Sequence, residues 1–171
     1  MKSSKNLRVL VMAAFFAALS IALGKFLAIS IGDTIRISFE NLPLILASIG
    51  LGPVWGLMCA ICADLLGCVL RGYAIIPLIT AAQALMGLLP GLMTKLVFRS
   101  VKPSKTVTAV CISHIIASMI VKTIALHITY TTPYSALFMT RIPTYIFIAA
   151  VESYLCVLLL KSKVIRKEFS L

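Results

Sequence analysis

Acidic residues, and charged residues of either sign, are scarce in this chain. Of its 171 residues only 5 are aspartate or glutamate, and charged residues make up 12%, against about 25% in a typical soluble domain. Hydrophobic residues make up 61%, and the mean hydropathy is +1.08. A chain of this length cannot hide so much apolar surface inside one water-soluble core. The shortage of charge therefore excludes a soluble globular protein and predicts a polytopic membrane protein.

Sequence motifs for nucleotide or nucleophilic chemistry are also missing. The chain has no P-loop, no glycine-rich dinucleotide-binding fingerprint and no nucleophile elbow. We therefore expect no ATP hydrolysis by this chain and no bound cofactor. The 5 cysteines lie within apolar runs. Cys59 and Cys62 form a CxxC pair without a second pair or a neighbouring histidine, which favours apolar packing over a metal site.

Basic residues are abundant, and their positions predict the membrane topology. The formal net charge is +11, which in a soluble protein would indicate nucleic-acid binding. Here the basic residues lie in clumps between apolar runs, as in the cytoplasmic loops of membrane proteins, so we expect no nucleic-acid partner. The three main clumps are Lys2, Lys5 and Arg8; Lys95, Arg99, Lys102 and Lys105; and Lys161, Lys163, Arg166 and Lys167.

Apolar runs divide the chain into six predicted helices. The run from Val9 to about Ile31 is long enough to cross about 30 Å of hydrocarbon, whereas the second helix is short. The polar run from Gly32 to Glu40 is predicted to be a loop or cap. The expected fold is all-α, a single membrane domain of six transmembrane helices over residues 1–171 with both termini cytoplasmic. The predicted helices cover about residues 8–30, 42–50, 54–70, 74–94, 106–128 and 137–160.

Ionisable residues at membrane depth are the candidate functional groups, because each is costly to bury. Asp64 has two interpretations: a structural contact, either a salt bridge to Arg71 or Arg36 or a contact to backbone amides, or a carboxylate facing an outward cavity. On the fifth and sixth helices, polar residues recur at helical spacing and share faces that predict a cleft. A simple ion pair between Lys122 and Glu152 is the alternative. The polar residues of this cleft are His114, Ser118, Lys122, Arg141, Tyr145 and Glu152, with Gln83 from the fourth helix.

Small residues mark the predicted helix contacts. Gly52 and Gly56, like Gly87 and Gly91, are spaced for close internal helix packing. The first helix has a flat face of alanines that would let another helix approach closely. Those alanines are Ala14, Ala18 and Ala22, with Ala13 and Ala17 beside them.

Several short motifs resemble a known family. They are the runs Arg36–Pro43, Gly52–Gly56, Ala63–Gly67 and Gly72–Pro77. Together with the chain length, the six helices and the alanine face, they make the chain similar to the substrate-binding S components of energy-coupling factor (ECF) vitamin importers, especially the folate-specific branch. The resemblance implies a protein of the bacterial plasma membrane that binds a vitamin and delivers it through a transmembrane coupling protein and two ATPase subunits. It also implies that Ala14 and Ala18, or Ala13 and Ala17, dock on the coupling protein.

Folate fits the residues that the resemblance brings forward. Its pterin presents an amino group beside a ring N–H, which the carboxylate of Asp64 or Glu40 could accept as a pair of hydrogen bonds. Aromatic rings would stack on the pterin, and basic residues would bind the anionic glutamate tail. The predicted substrate-binding residues are Arg36, Ser38, Phe39, Glu40, Asp64, Arg71, Tyr73, Gln83, His114, Lys122, Arg141 and Tyr145.

Three other functions stay open on sequence grounds. A sister S component could bind pantothenate, thiamine or another small vitamin on the same scaffold, because a fold does not determine its ligand. An intramembrane enzyme could use His114, Lys122 and Glu152 as acid–base groups, although no paired acidic metal motif supports it. A structural subunit would need only the alanine face of the first helix.

Overall fold

The computed structural model describes residues 2–26, 28–31, 35–98, 102–130 and 133–162. These residues form a helical bundle and one small hairpin. The elements are α1 (Lys2–Ile21) with a π-helical extension (Ala22–Phe26), β1 (Ile29–Ile31), β2 (Ile35–Ile37), α2 (Asn41–Gly50), α3 (Pro53–Arg71), α4 (Pro77–Leu92) with a π-helical extension (Met93–Val97), α5 (Pro103–Ser113), a π-helical segment (His114–Val121), α6 (Lys122–Tyr130) and α7 (Tyr134–Lys161).

The described helices confirm the predicted all-α membrane fold. α5, the π-helical segment and α6 together form one continuous span, the fifth of the six predicted helices. The segments long and apolar enough to cross a membrane, among the residues described, are Asn6–Gly24, Pro53–Arg71, Pro77–Val97, Pro103–Thr129 and Leu137–Lys161. α2 is short, as predicted: its 10 residues extend only about 15 Å. Most of its side chains are buried, so α2 lies inside the bundle.

The hairpin between α1 and α2 was not predicted. The first helix was expected to reach about residue 30, but helical structure ends at Phe26, and Ile29–Ile31 pairs antiparallel with Ile35–Ile37. The cause is visible in the sequence, because both segments alternate isoleucine with a polar residue, the two-residue period of a strand. Residues 32–34, the centre of the predicted polar loop, lie outside the described residues.

Proline and glycine set the helix boundaries near the end of α3. Gly72 has φ +66° and ends α3 in the left-handed conformation, which glycine adopts without a steric penalty. α4 begins at Pro77 and not at Ala74 as predicted. Proline suits a first helical position because it lacks the N–H that would have no partner there. The residues between α3 and α4 are therefore non-helical, and Ile76 has an extended backbone.

Three of the four predicted glycines, Gly56, Gly87 and Gly91, allow α2, α3 and α4 to pack with their backbones in contact, whereas Gly52 precedes α3 with φ +120° and makes no such contact. A Cβ atom at Gly87 would collide with the carbonyl oxygen of Gly56, and one at Gly91 would collide with the carbonyl oxygen of Ser48. The amide of Gly91 donates a 2.9 Å hydrogen bond to Ser48 Oγ. Close approach of this kind provides the packing that holds helices together in lipid.

We expect Gly87→Ala to destabilise the bundle by about 1–3 kcal/mol, because the added methyl group must push α3 and α4 apart. Thermal unfolding of the detergent-purified protein measures the effect. Ala81→Leu is the matched control, since Ala81 lies on the same helix but is exposed. Equal melting temperatures for the two variants would contradict the assigned packing.

Candidate functional site

A cavity of about 460 Å³ lies where α3 ends and α7 begins, with α2, α4 and α6 around it. Its size is within the range of about 300–1,000 Å³ that is usual for small-molecule sites. Apolar side chains from α4, α6 and α7 form part of its wall. Seven of the predicted substrate-binding residues line it: Ser38, Glu40, Asp64, Tyr73, Lys122, Arg141 and Tyr145.

Asp64 provides a carboxylate on the α3 wall of the cavity. Thr80, in the first turn of α4, donates a 2.7 Å hydrogen bond from Oγ1 to Asp64 Oδ2. Arg71, one of the predicted alternative partners, is exposed on the last turn of α3 and does not line the cavity. An ionised carboxylate has several acceptor positions, and the hydrogen bond from Thr80 occupies one of them.

Glu40 provides a second carboxylate and joins the cavity to the rest of the bundle. Lys122 Nζ lies 3.6 Å from Glu40 Oε1 and 3.4 Å from Gln83 Oε1, to which it donates. Gln83 in turn donates a 3.1 Å hydrogen bond to Asn41 Oδ1. Ser20 of α1 donates to the backbone carbonyl of Glu40 at 2.7 Å. Gln83, a predicted ligand, is therefore a buried support of Lys122 and lies outside the main cavity.

The alternative of an ion pair between Lys122 and Glu152 is wrong. Lys122 pairs with Glu40, whereas Glu152 Oε2 lies 2.7 Å from Nε2 of His114. His114 and Glu152 are both buried, and neither lines the cavity. The predicted polar stripe on the fifth span is thus divided: Lys122 faces the cavity, and His114 and Ser118 are buried inside the bundle.

Arg141 places a buried positive charge on the α7 wall. Its Nη2 donates to the hydroxyl of Tyr145 at 2.9 Å, and its Nη1 donates to Thr123 Oγ1 at 3.3 Å. The guanidinium carbon also lies 5.1 Å from the centre of the Tyr145 ring. Both hydrogen-bond partners are neutral, and across the described part of the chain no carboxylate lies within ion-pair distance of Arg141. A buried cation with only neutral partners suits an anionic group on a ligand.

Two more predicted residues lie near the start of α2. Phe39 is half-buried and does not line the cavity, whereas the side chain of Arg36 lies outside the described residues. Sequence reasoning missed Thr80 and Asn41, two neutral residues that hold Asp64 and Gln83. Both residues are hard to recognise as site residues from the sequence, because single hydroxyl and amide residues are common at the starts of helices.

The alanine face of α1 divides into two pairs. Ala13 and Ala17 are buried among apolar residues of α2 and α3, and the carbonyl of Ala13 accepts a 3.3 Å hydrogen bond from the Cys59 thiol. Ala14 and Ala18 are exposed on a neighbouring face of the helix, about 100° around its axis. Only the second pair is therefore available to a partner protein.

Comparisons with known proteins agree with this fold. Residues 4–167 match the family model described as the S component of an ECF-type riboflavin transporter. A search of curated proteins found no match.

Three solved structures share the fold at low sequence identity. FolT bound with folic acid matches with a TM-score of 0.74 and 17% identity, over 85% of this chain and 88% of that chain. ThiT from Listeria monocytogenes matches with a TM-score of 0.72 and 19% identity, over 96% of this chain and 98% of that chain. The S component of a bacterial ECF transporter matches with a TM-score of 0.67 and 22% identity, over 92% and 95%. The family match covers nearly the whole chain, which therefore belongs to the S-component family of ECF-type transporters, the vitamin-binding subunits that its sequence resembles.

Proposed function

We propose that this chain is the folate-binding S component of an ECF importer in the bacterial cell membrane. It would capture folate from outside, with both termini in the cytoplasm, and pass it to an ATPase-driven coupling module. The observation that carries the proposal is the charge arrangement of the cavity. One wall holds the carboxylate of Asp64, and another holds the buried cation of Arg141.

The pterin end of folate suits the Asp64 wall. Asp64 and Glu40 both line the cavity, but Glu40 is already paired with Lys122 at 3.6 Å. Asp64 is the better acceptor for the pterin amino group and its neighbouring ring N–H, because its described partner is the neutral hydroxyl of Thr80. Tyr73 and Tyr145 also line the cavity and offer ring faces for stacking.

The glutamate end of folate suits Arg141. A guanidinium can donate two parallel hydrogen bonds to one carboxylate, and the charge of Arg141 is not balanced by a described carboxylate. Lys122 is a weaker candidate, since Glu40 already neutralises much of its charge. A ligand with an aromatic donor pair at one end and a carboxylate at the other therefore complements both walls.

Riboflavin is the second candidate, because the matching family model is named for a riboflavin transporter. Its ring system could stack on the same tyrosines, but riboflavin has no carboxylate and would leave Arg141 without a counter-charge. Pantothenate has a carboxylate and no ring. Thiamine is a cation, which Arg141 would repel.

Calorimetric titration of the purified chain with these four vitamins tests the ligand. We expect folate to bind most tightly, with nanomolar affinity. Calorimetry is preferable to tryptophan fluorescence, because Trp55 lies nine residues before Asp64 on α3, about 14 Å along the helix axis. Tighter binding of riboflavin would overturn the choice of folate and the assigned role of Arg141.

Replacing Arg141 tests whether its guanidinium binds the carboxylate of folate. We expect Arg141→Gln to weaken folate binding by about 30-fold or more, because a buried charged hydrogen bond is lost. Arg71→Gln is the matched control, since Arg71 is exposed outside the cavity. If both variants bind folate like the wild type, Arg141 does not hold the glutamate tail.

We also propose that the exposed alanines of α1 dock on the transmembrane coupling protein of the importer. Ala14 and Ala18 are exposed in the span, and small side chains let a partner helix approach closely. ATP hydrolysis would then take place in the two ATPase subunits of the complex.

Enlarging this face should uncouple uptake from binding. We expect Ala14→Trp to abolish cellular uptake, because the indole blocks the partner helix, while calorimetry finds unchanged vitamin affinity. Leu19→Trp adds the same ring to another exposed side of α1 and serves as the control. Equal uptake by the two variants would place the docking surface elsewhere.

A further inference from the structure

A buried pair of ionisable residues lies beside the cavity without lining it. His114 is 2% exposed and Glu152 is 0% exposed, and Nε2 of the histidine lies 2.7 Å from Oε2 of the glutamate. Burying such groups within a membrane span is costly. Replacing a buried ion pair by apolar residues of similar size is often neutral or stabilising. A contribution to stability alone therefore does not explain why this pair is buried here.

One connection leads from the pair to Arg141. The ring of His114 lies against the ring of Tyr145, with 6.3 Å between their centres. Tyr145 accepts the 2.9 Å hydrogen bond from Arg141. Glu152 follows Tyr145 by seven residues on α7, about two helical turns, so the two side chains share a face. His114, which Glu152 holds, thus lies against the residue that accepts the hydrogen bond from Arg141.

A second connection leads to Lys122. His114 is the first residue of the π-helical segment that ends at Val121, and Lys122 follows directly. A π-helical turn holds more residues than an α-helical one, so the position of this segment sets the direction in which Lys122 points. The contact from His114 to Glu152 attaches the start of the segment to α7.

We infer that His114 and Glu152 are a positioning pair for the two cavity cations, Arg141 and Lys122. They hold these cations from behind and so determine the affinity for the carboxylate of the ligand without touching it. The inference rests on the proposed binding of an anionic vitamin. It concerns residues that neither line the cavity nor face lipid.

The test compares folate with folate dimethyl ester, in which both carboxylates are neutral. The double variant His114→Phe, Glu152→Met removes both ionisable groups together, so neither is left as an unpaired buried charge and the protein should still fold. We expect it to bind folate about 10-fold more weakly, because displaced binding groups lose affinity steeply, and to bind the ester like the wild type. Glu152→Gln, which keeps the side-chain shape, should show a smaller change in the same direction.

Ser153→Ala is the control, since Ser153 is buried next to Glu152 and lies 4.0 Å from the Cys111 thiol. Equal losses for folate and its ester would show a merely structural role and overturn the inference, as would unchanged folate affinity. Failure of the wild type to bind folate would instead overturn the proposed function. In that case, the positioning role can still be tested without ligand by NMR of the guanidinium ¹⁵N resonances of Arg141. Restricted rotation of the guanidinium in the wild type and free rotation in the double variant would support the role. Identical spectra would contradict it.

Discussion

The central physical constraint on this molecule is that a charge within a membrane span must be paired, hydrogen-bonded or reserved for a ligand. Lys122 meets the constraint through Glu40, and His114 and Glu152 meet it through each other. Arg141 and Asp64 differ, because their described hydrogen-bond partners are hydroxyl groups. The same accounting that explains the buried pairs therefore singles out two charges without a described counter-charge, and both line the cavity.

Small residues make this charge arrangement possible because they determine where the helices of the bundle pack closely. Contact between the backbones at Gly56 and Gly87 closes α3 against α4, and the buried helix α2 fills the space between them and α1. Between Gly72 and Pro77 neither helix is present, because α3 has ended and α4 has not yet begun. The bundle is consequently closed at its centre and open at one end, where the polar walls of the cavity meet.

The sequence predicts the class of fold and the charged residues of the cavity, because hydropathy, basic clumps and isolated charges within apolar runs are local properties of a span. The ion-pair partner of a buried charge, in contrast, comes from a distant part of the sequence. The sequence offers Glu152 as the partner of Lys122, and only the packing of α2 and the fifth span against α4 brings Glu40 to that position. The π-helical segment and the register of Ala13 against Ala14 also depend on neighbouring helices, so helical periodicity alone cannot distinguish the alternatives.

The most direct measurement is an experimental structure of the chain with folate bound. The account predicts the pterin against Asp64 and a glutamate carboxylate within hydrogen-bond distance of the Arg141 guanidinium. A folate molecule bound in the opposite orientation, or one that leaves Arg141 in contact only with Thr123 and Tyr145, would contradict it.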